Sequence, residues 1–177
     1  LQAARAQGAR INATLGVALH DDGSPMGLAS LEVLLGISST EAILYAPSHG
    51  ILPLRKLWGE LLHRKNPSLY SPISTPVVVV GLSYGLHIAA ELFRDPGEEL
   101  LLAAPYWENY DLIFQDVAQL PLRLFPLFDG GCFNSCGLRA ALRGGSRKKV
   151  LLLNFPNNPT GYAPRLEEAA EICTIIR

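Results

Sequence analysis

Cysteine is scarce in this 177-residue chain, with Cys132, Cys136 and Cys173 its only three. An odd number at irregular spacing excludes a closed disulfide framework and fits reduced thiols in a cytoplasmic protein. Cys132-x-x-x-Cys136 lacks the two-residue gap and nearby histidine of a zinc site, so no metal is expected. Charge is thin as well, with Asp, Glu, Lys and Arg at 18% and a net charge of −1. That balance favours neither nucleic acid nor an anionic membrane surface. Lysine occurs only at positions 56, 65, 148 and 149. Between Asn66 and Ala90 there is no acid, lysine or arginine at all. Such a stretch is long enough to span a bilayer. Its three prolines, two glycines and His87 fit a buried strand and helix better, so no membrane is expected. Residues 1–10 carry two arginines and no apolar core, which excludes a signal peptide there. No strand is followed by Gly-x-Gly-x-x-Gly, which disfavours a dinucleotide site.

What is abundant is apolar surface. Apolar residues make up 49%, and the mean hydropathy is +0.20. The chain is long enough for one sizeable core. This richness points to burial beyond that core, in a dimer or against more of the same protein. An extended piece and a turn are expected over residues 11–26, and a helix over Leu28 to Leu35. Leu54, Leu57, Trp58, Leu61 and Leu62 recur at helical spacing, which predicts a helix from Ile51 to Arg64. The β-branched run Val77 to Val80 predicts a buried strand. Ser83 is placed to cap the helix that follows. Leu100 to Ala104 predicts the next strand and Asn109 to Asp116 a helix. Leu120 to Leu127 predicts a strand kept at an edge by Pro121 and Pro126. After a Gly130-Gly131 loop, a short helix is expected around Leu138 to Leu142, then a basic turn at 147–149. Val150 to Leu153 predicts a strand buried on both faces, and a final helix starts near Pro164. Alternating strands and helices mean an α/β fold: a mostly parallel sheet with helices on both faces.

Three strand-to-helix junctions could carry chemistry. Gly81-Leu82-Ser83 follows the 77–80 run, and free N–H groups at a helix start suit a phosphate. Trp107, after the strand ending at Ala104, could lie flat on a planar heteroaromatic ring. It could equally be a core Trp under a loop. Asn157-Asn158-Pro159-Thr160-Gly161 follows the last strand. There Asn158 could offer its amide to a ring oxygen, or simply bond its own turn. All three lie beyond strand ends of one inferred sheet, where open α/β sheets bind ligands.

The words at these junctions resemble the class I/II aminotransferases, the fold type I enzymes that use pyridoxal 5′-phosphate (PLP). Tyr45-Ala46-Pro47-x-x-Gly50, Gly81-Leu82-Ser83, Pro105-x-Trp107-x-Asn109 and Asn158-Pro159-Thr160-Gly161 carry the likeness, from about Ile11 to Pro164. It implies that Leu82 and Ser83 cradle the cofactor phosphate and that Trp107 stacks on the ring. Asn158 would contact the phenolic oxygen, and Tyr45 would reach the phosphate of a neighbouring subunit. It implies cis peptide bonds before Pro105 and Pro159. It also implies amino acid and 2-oxo acid substrates, amino-group transfer through a PLP aldimine, and a homodimer. Residues 1–45 would be an arm or the start of a small domain, and 46–177 the first half of the PLP-binding large domain.

One departure limits this. The family's Schiff-base lysine lies downstream of the Asn-Pro-Thr-Gly turn, and every lysine here lies upstream of Asn158. The chain is therefore expected to be an N-terminal fragment, inactive alone. The alternatives are a non-catalytic PLP-binding module or remnant, and a fold type I lyase or decarboxylase.

Overall fold

A computed structural model describes Gly8 and residues 16–145 and 149–177. The chain divides into two compact units, residues 1–47 and 48–177. The expected extended piece over residues 11–15 and most of the basic turn at 147–149 lie outside the described residues.

In the first unit, a bridge between Leu19 and Pro25 closes the turn at Asp21–Ser24. Two short helices follow, α1 (Ala29–Glu32) and α2 (Ser39–Ile43). The helix expected over Leu28 to Leu35 thus shrinks to four residues. Leu31, Leu34 and Leu35 are all exposed. A short helix without a buried face gains too little to propagate.

The second unit opens with α3 (Leu52–Lys65), close to the expected helix. The run 77–80 is extended, but it is not a strand. Among the described residues, Val78 ties it back, its N–H donating to the His49 carbonyl at 3.1 Å, and Val80 is 87% exposed. β-branching favours an extended backbone, yet a ladder needs a neighbour, and no described strand pairs with this run. Helix α4 (Gly81–Phe93) follows.

β1 (Leu100–Ala104), β2 (Leu122–Pro126) and β5 (Val150–Leu152) form a parallel sheet in the order β2-β1-β5. β1 is central, and Leu100, Leu101 and Leu102 are at most 2% exposed. Each such leucine contributes roughly 2 kcal/mol by leaving water. The uninterrupted apolar run has a simple cause: both faces are covered. Leu100 and Leu102 pack with Ala90 of α4 and with Ile113 and Phe114. Leu101 and Ala103 pack with Leu138 and Ala141 of α5 (Ser135–Arg143) and Ile172 of α6 (Leu166–Ile176). The parallel sheet with helices on both faces is the expected class.

Three details differ from expectation. β5 is an edge strand and only half-buried, because nothing described pairs with its far side. Residues Asp111–Val117 form a π-helix rather than an α-helix; the Ala118 N–H reaches back five residues to the Ile113 carbonyl at 3.2 Å. The Gly130-Gly131 loop is the turn of a hairpin between β3 (Phe128–Asp129) and β4 (Cys132–Phe133). Its two glycines have φ of 57° and 84°, the signs a type I′ turn demands. β2 does lie at an edge, as its prolines require. The three cysteines are free and exposed. Among the described residues, no helix is long and apolar enough to cross a membrane. No cluster of three or more His, Cys, Asp or Glu among them could hold a metal.

Candidate functional site

The chain turns sharply where β1 and β5 end. The Ala104–Pro105, Phe155–Pro156 and Asn158–Pro159 peptide bonds are all cis. The first and last were expected; the middle one was not. Beyond these ends lies a cleft of about 400 Å³. Leu82 and Leu86 of α4 line one side, Trp107 and Tyr110 another, and Leu152, Leu153, Asn154 and Asn158 the third. Leu82, Trp107 and Asn158 therefore share one space, at the carboxyl ends of the strands.

Ser83 and Tyr45 do not line it. Ser83 lies exposed in the first turn of α4, which makes it no cap; the N-cap position is Val80, and no side chain caps this helix. Gly81 takes φ of 76°, which a side chain would resist. The first-turn N–H groups lack intrahelical partners, and no acid lies in that turn. This is the polarity a phosphate needs. Tyr45 belongs to the first unit and is fully exposed there.

The aromatic wall is built from a short ladder. Trp107 meets Tyr110 edge to face at 5.5 Å and 82°, and Tyr110 meets Phe114 at 5.9 Å and 62°. Tyr106 stacks on Tyr110 at 6.4 Å, and its hydroxyl donates to Asp111 Oδ1 at 2.9 Å. Tyr110 is only 5% exposed. Burial raises its phenol above the ordinary tyrosine value, and the Asn154 side chain beside the hydroxyl partly opposes that. The wall is hydrophobic, and Tyr110 keeps its proton at neutral pH.

The asparagine wall divides two roles between neighbours. Asn157 is buried and holds the turn, its Oδ1 accepting from Thr160 Oγ1 at 2.7 Å and Thr160 N at 3.3 Å. Asn158 is exposed and faces the cleft. The turn is anchored from behind by Glu168, at the start of α6. Its carboxylate accepts from Phe133 N (2.8 Å), Tyr162 OH (2.8 Å) and Arg165 N (2.7 Å). The Phe133 and Arg165 amides, the hydroxyl and the Arg165 side chain together hold this carboxyl down at about 2, well below its usual 4.5.

The sequence did not single out Tyr110, Asn154, Asn157 or Glu168. Tyr110 sits three residues from Trp107, the spacing of neighbours on one helical turn, which was its one signal. A larger hollow of about 700 Å³ opens at the amino ends of the strands, near Arg94, Glu98 and Gln119; no expected site residue lies there. None of the described residues lining the cleft is a lysine. A flat aromatic, an apolar lining, a free amide and an uncapped helix start fit a planar heteroaromatic phosphate such as PLP. A covalent anchor for it is not among them.

Comparison with known proteins gives a consistent result. The family model described as "Aminotransferase class I and II" matches residues 31–177. A Thermus aquaticus protein named "Probable aspartate/prephenate aminotransferase" is 34% identical over 118 residues, covering 66% of this chain and 30% of its own. The Thermus thermophilus aspartate/prephenate aminotransferase is 32% identical over the same length, with the same coverage. The crystal structure of an aminotransferase from Anaerococcus prevotii superposes with a TM-score of 0.84 at 28% identity, covering 99% of this chain and 44% of that one. The chain spans about a third of the length of these curated relatives.

Proposed function

The chain belongs to the class I and II aminotransferases, and from that premise we propose that its cleft is the PLP-binding wall of an amino-acid aminotransferase. The reading rests chiefly on one observation: Leu82, Trp107 and Asn158, far apart in sequence, line a single cleft beyond the strand ends. The first-turn amides at Leu82 and Ser83 would hold the phosphate. Trp107 would support the ring, and Asn158 would donate its amide to the phenolic oxygen. When bound, PLP supplies an electron sink that lets an amino group move between an amino acid and a 2-oxo acid.

The chain's own residues bind and orient; none of them moves the substrate proton. That role needs a lysine facing the ring, and among the described residues no lysine lines the cleft. We therefore expect this 177-residue chain alone to turn over no amino acid. Residues 1–45 would serve as an arm or small-domain start, and 46–177 as the first half of the cofactor domain. In the whole protein, a homodimer would let Tyr45 reach the phosphate held by a neighbouring subunit. Three free thiols suit the cytoplasm.

The test is equilibrium dialysis of the chain against PLP, beside the variants Trp107→Ala and Asn158→Ala. Saturable uptake of one equivalent, weakened in both variants, is the expected outcome. Equal uptake by all three proteins would refute the assignment. Amino-acid turnover by the pure chain would refute the silent role.

A further inference from the structure

We propose that Asn157, which does not itself line the cleft, is the positioning residue that sets its two walls in register. This deepens the reading of the cleft as a cofactor site and rests on it.

The geometry is specific. Asn157 is 7% exposed, one of few buried polar side chains described. Its Nδ2 donates to the Pro105 carbonyl at 3.3 Å, across 52 positions of sequence. Its Oδ1 faces two donors, Thr160 N and Thr160 Oγ1. Carbonyl on one side and donors on the other leave the amide one satisfactory orientation. Its backbone is held as firmly, with N–H to the Tyr162 carbonyl and carbonyl from the Gly161 N–H, both at 2.7 Å.

What this side chain joins matters. Pro105 begins the turn that carries Trp107, and Asn157 immediately precedes Asn158. β1 and β5 are paired only at Leu100 to Leu102 and Val150 to Leu152, so the ladder stops before either turn begins. Beyond it, the Asn157–Pro105 bond directly ties one turn to the other. A planar ligand held between an aromatic face and an amide feels errors of about an ångström in their spacing. Losing the bond should let Trp107 drift from Asn158 while each turn keeps its own conformation.

The bond can be cut without opening the turn. Asn157→Asp keeps an oxygen for Thr160 but places another oxygen against the Pro105 carbonyl. Asn157→Ser removes the reach to Pro105 without adding charge; it also gives up the Thr160 contacts, a loss that the control measures separately. Thr160→Val is the control, because it loosens the turn and leaves the Pro105 bond intact. All are made in Trp58→Phe, where Trp107 is the sole tryptophan. Two readouts are taken: Trp107 emission without ligand, and its quenching by added PLP.

Both Asn157 variants should red-shift Trp107 emission and weaken PLP binding about tenfold, while Thr160→Val changes neither by more than about twofold. If the Asn157 variants match Thr160→Val in both readouts, Asn157 serves only its own turn and the proposal is overturned. If the Trp58→Phe parent binds no PLP while the Asn157 variants still shift Trp107, the link between walls stands and the cofactor reading falls. If the Trp58→Phe parent binds no PLP and the Asn157 variants leave Trp107 emission unchanged, both fall.

Discussion

Truncating Tyr110 to alanine tests whether the aromatic wall is part of the core or merely lies over it. The ring is 5% exposed and contacts Tyr106, Trp107 and Phe114 at 5.5 to 6.4 Å between centroids. Removing a buried ring of this size costs about 4 kcal/mol in transfer and cavity terms. The edge-to-face contacts with Trp107 and Phe114 lie within that total rather than on top of it. With a urea slope of about 2 kcal/mol per molar, the unfolding midpoint should fall by about 2 M. Tyr110→Phe separates the ring from its hydroxyl. It keeps the packing and loses one polar contact with Asn154, so a loss of about 1 kcal/mol is expected. The assay is urea unfolding in the Trp58→Phe background, followed by far-UV circular dichroism with Trp107 emission recorded in parallel. Tyr110→Ala should also expose Trp107 to water in the folded baseline. A midpoint within about 0.3 M of wild type for Tyr110→Ala would refute the reasoning. It would mean the ladder sits on the sheet without supporting it.

Glu168 should make stability depend on acid. Its carboxyl is held at about 2 when folded and returns to about 4.5 when unfolded, so its contribution is full above 4.5 and is lost as pH falls toward 2. Glu168→Gln should lower the melting temperature at neutral pH yet lose less than wild type between pH ~5 and ~2.5; parallel profiles would contradict this. Leu101→Ala, at 0% exposure in the central strand, should cost about 3 kcal/mol in denaturant unfolding. Arg123→Ala breaks only the 3.2 Å pair with Glu99, about a third exposed on both sides, and should cost under about 1 kcal/mol in the same assay.

Much of this was legible in the sequence, and for stated reasons. The run Leu100 to Ala104 was read as a strand, and the fold shows why no alternation breaks it: both its faces are covered. The prolines at 121 and 126 marked β2 as an edge, where a missing N–H costs least. Pairing with absent neighbours was not legible. The 77–80 run has every local mark of a strand, and whether it becomes one depends on a partner that residue composition does not encode. The same holds for β5, whose apolar pattern suggested burial that an edge position denies it. Backbone hydrogen-bond registers are equally hidden: nothing in Asp111–Val117 distinguishes a five-residue step from a four-residue one. At the site, the resemblance picked Asn158 for the ligand, while the residues alone gave no role to its neighbour Asn157. In the fold Asn157 is buried and Asn158 faces the cleft. Glu168 was invisible for another reason. Its partners come from residues 133, 162 and 165, and only the last two are near in sequence.

Residues 81–83, Trp107 and Asn158 are proposed to form one face of a cofactor site. A crystal structure of the chain grown with PLP tests it most directly. Electron density is expected for the pyridine ring against Trp107, the phosphate at the first turn of α4 and the Asn158 amide beside the ring oxygen. Density for the cofactor elsewhere, for instance in the larger hollow near Arg94, would contradict it.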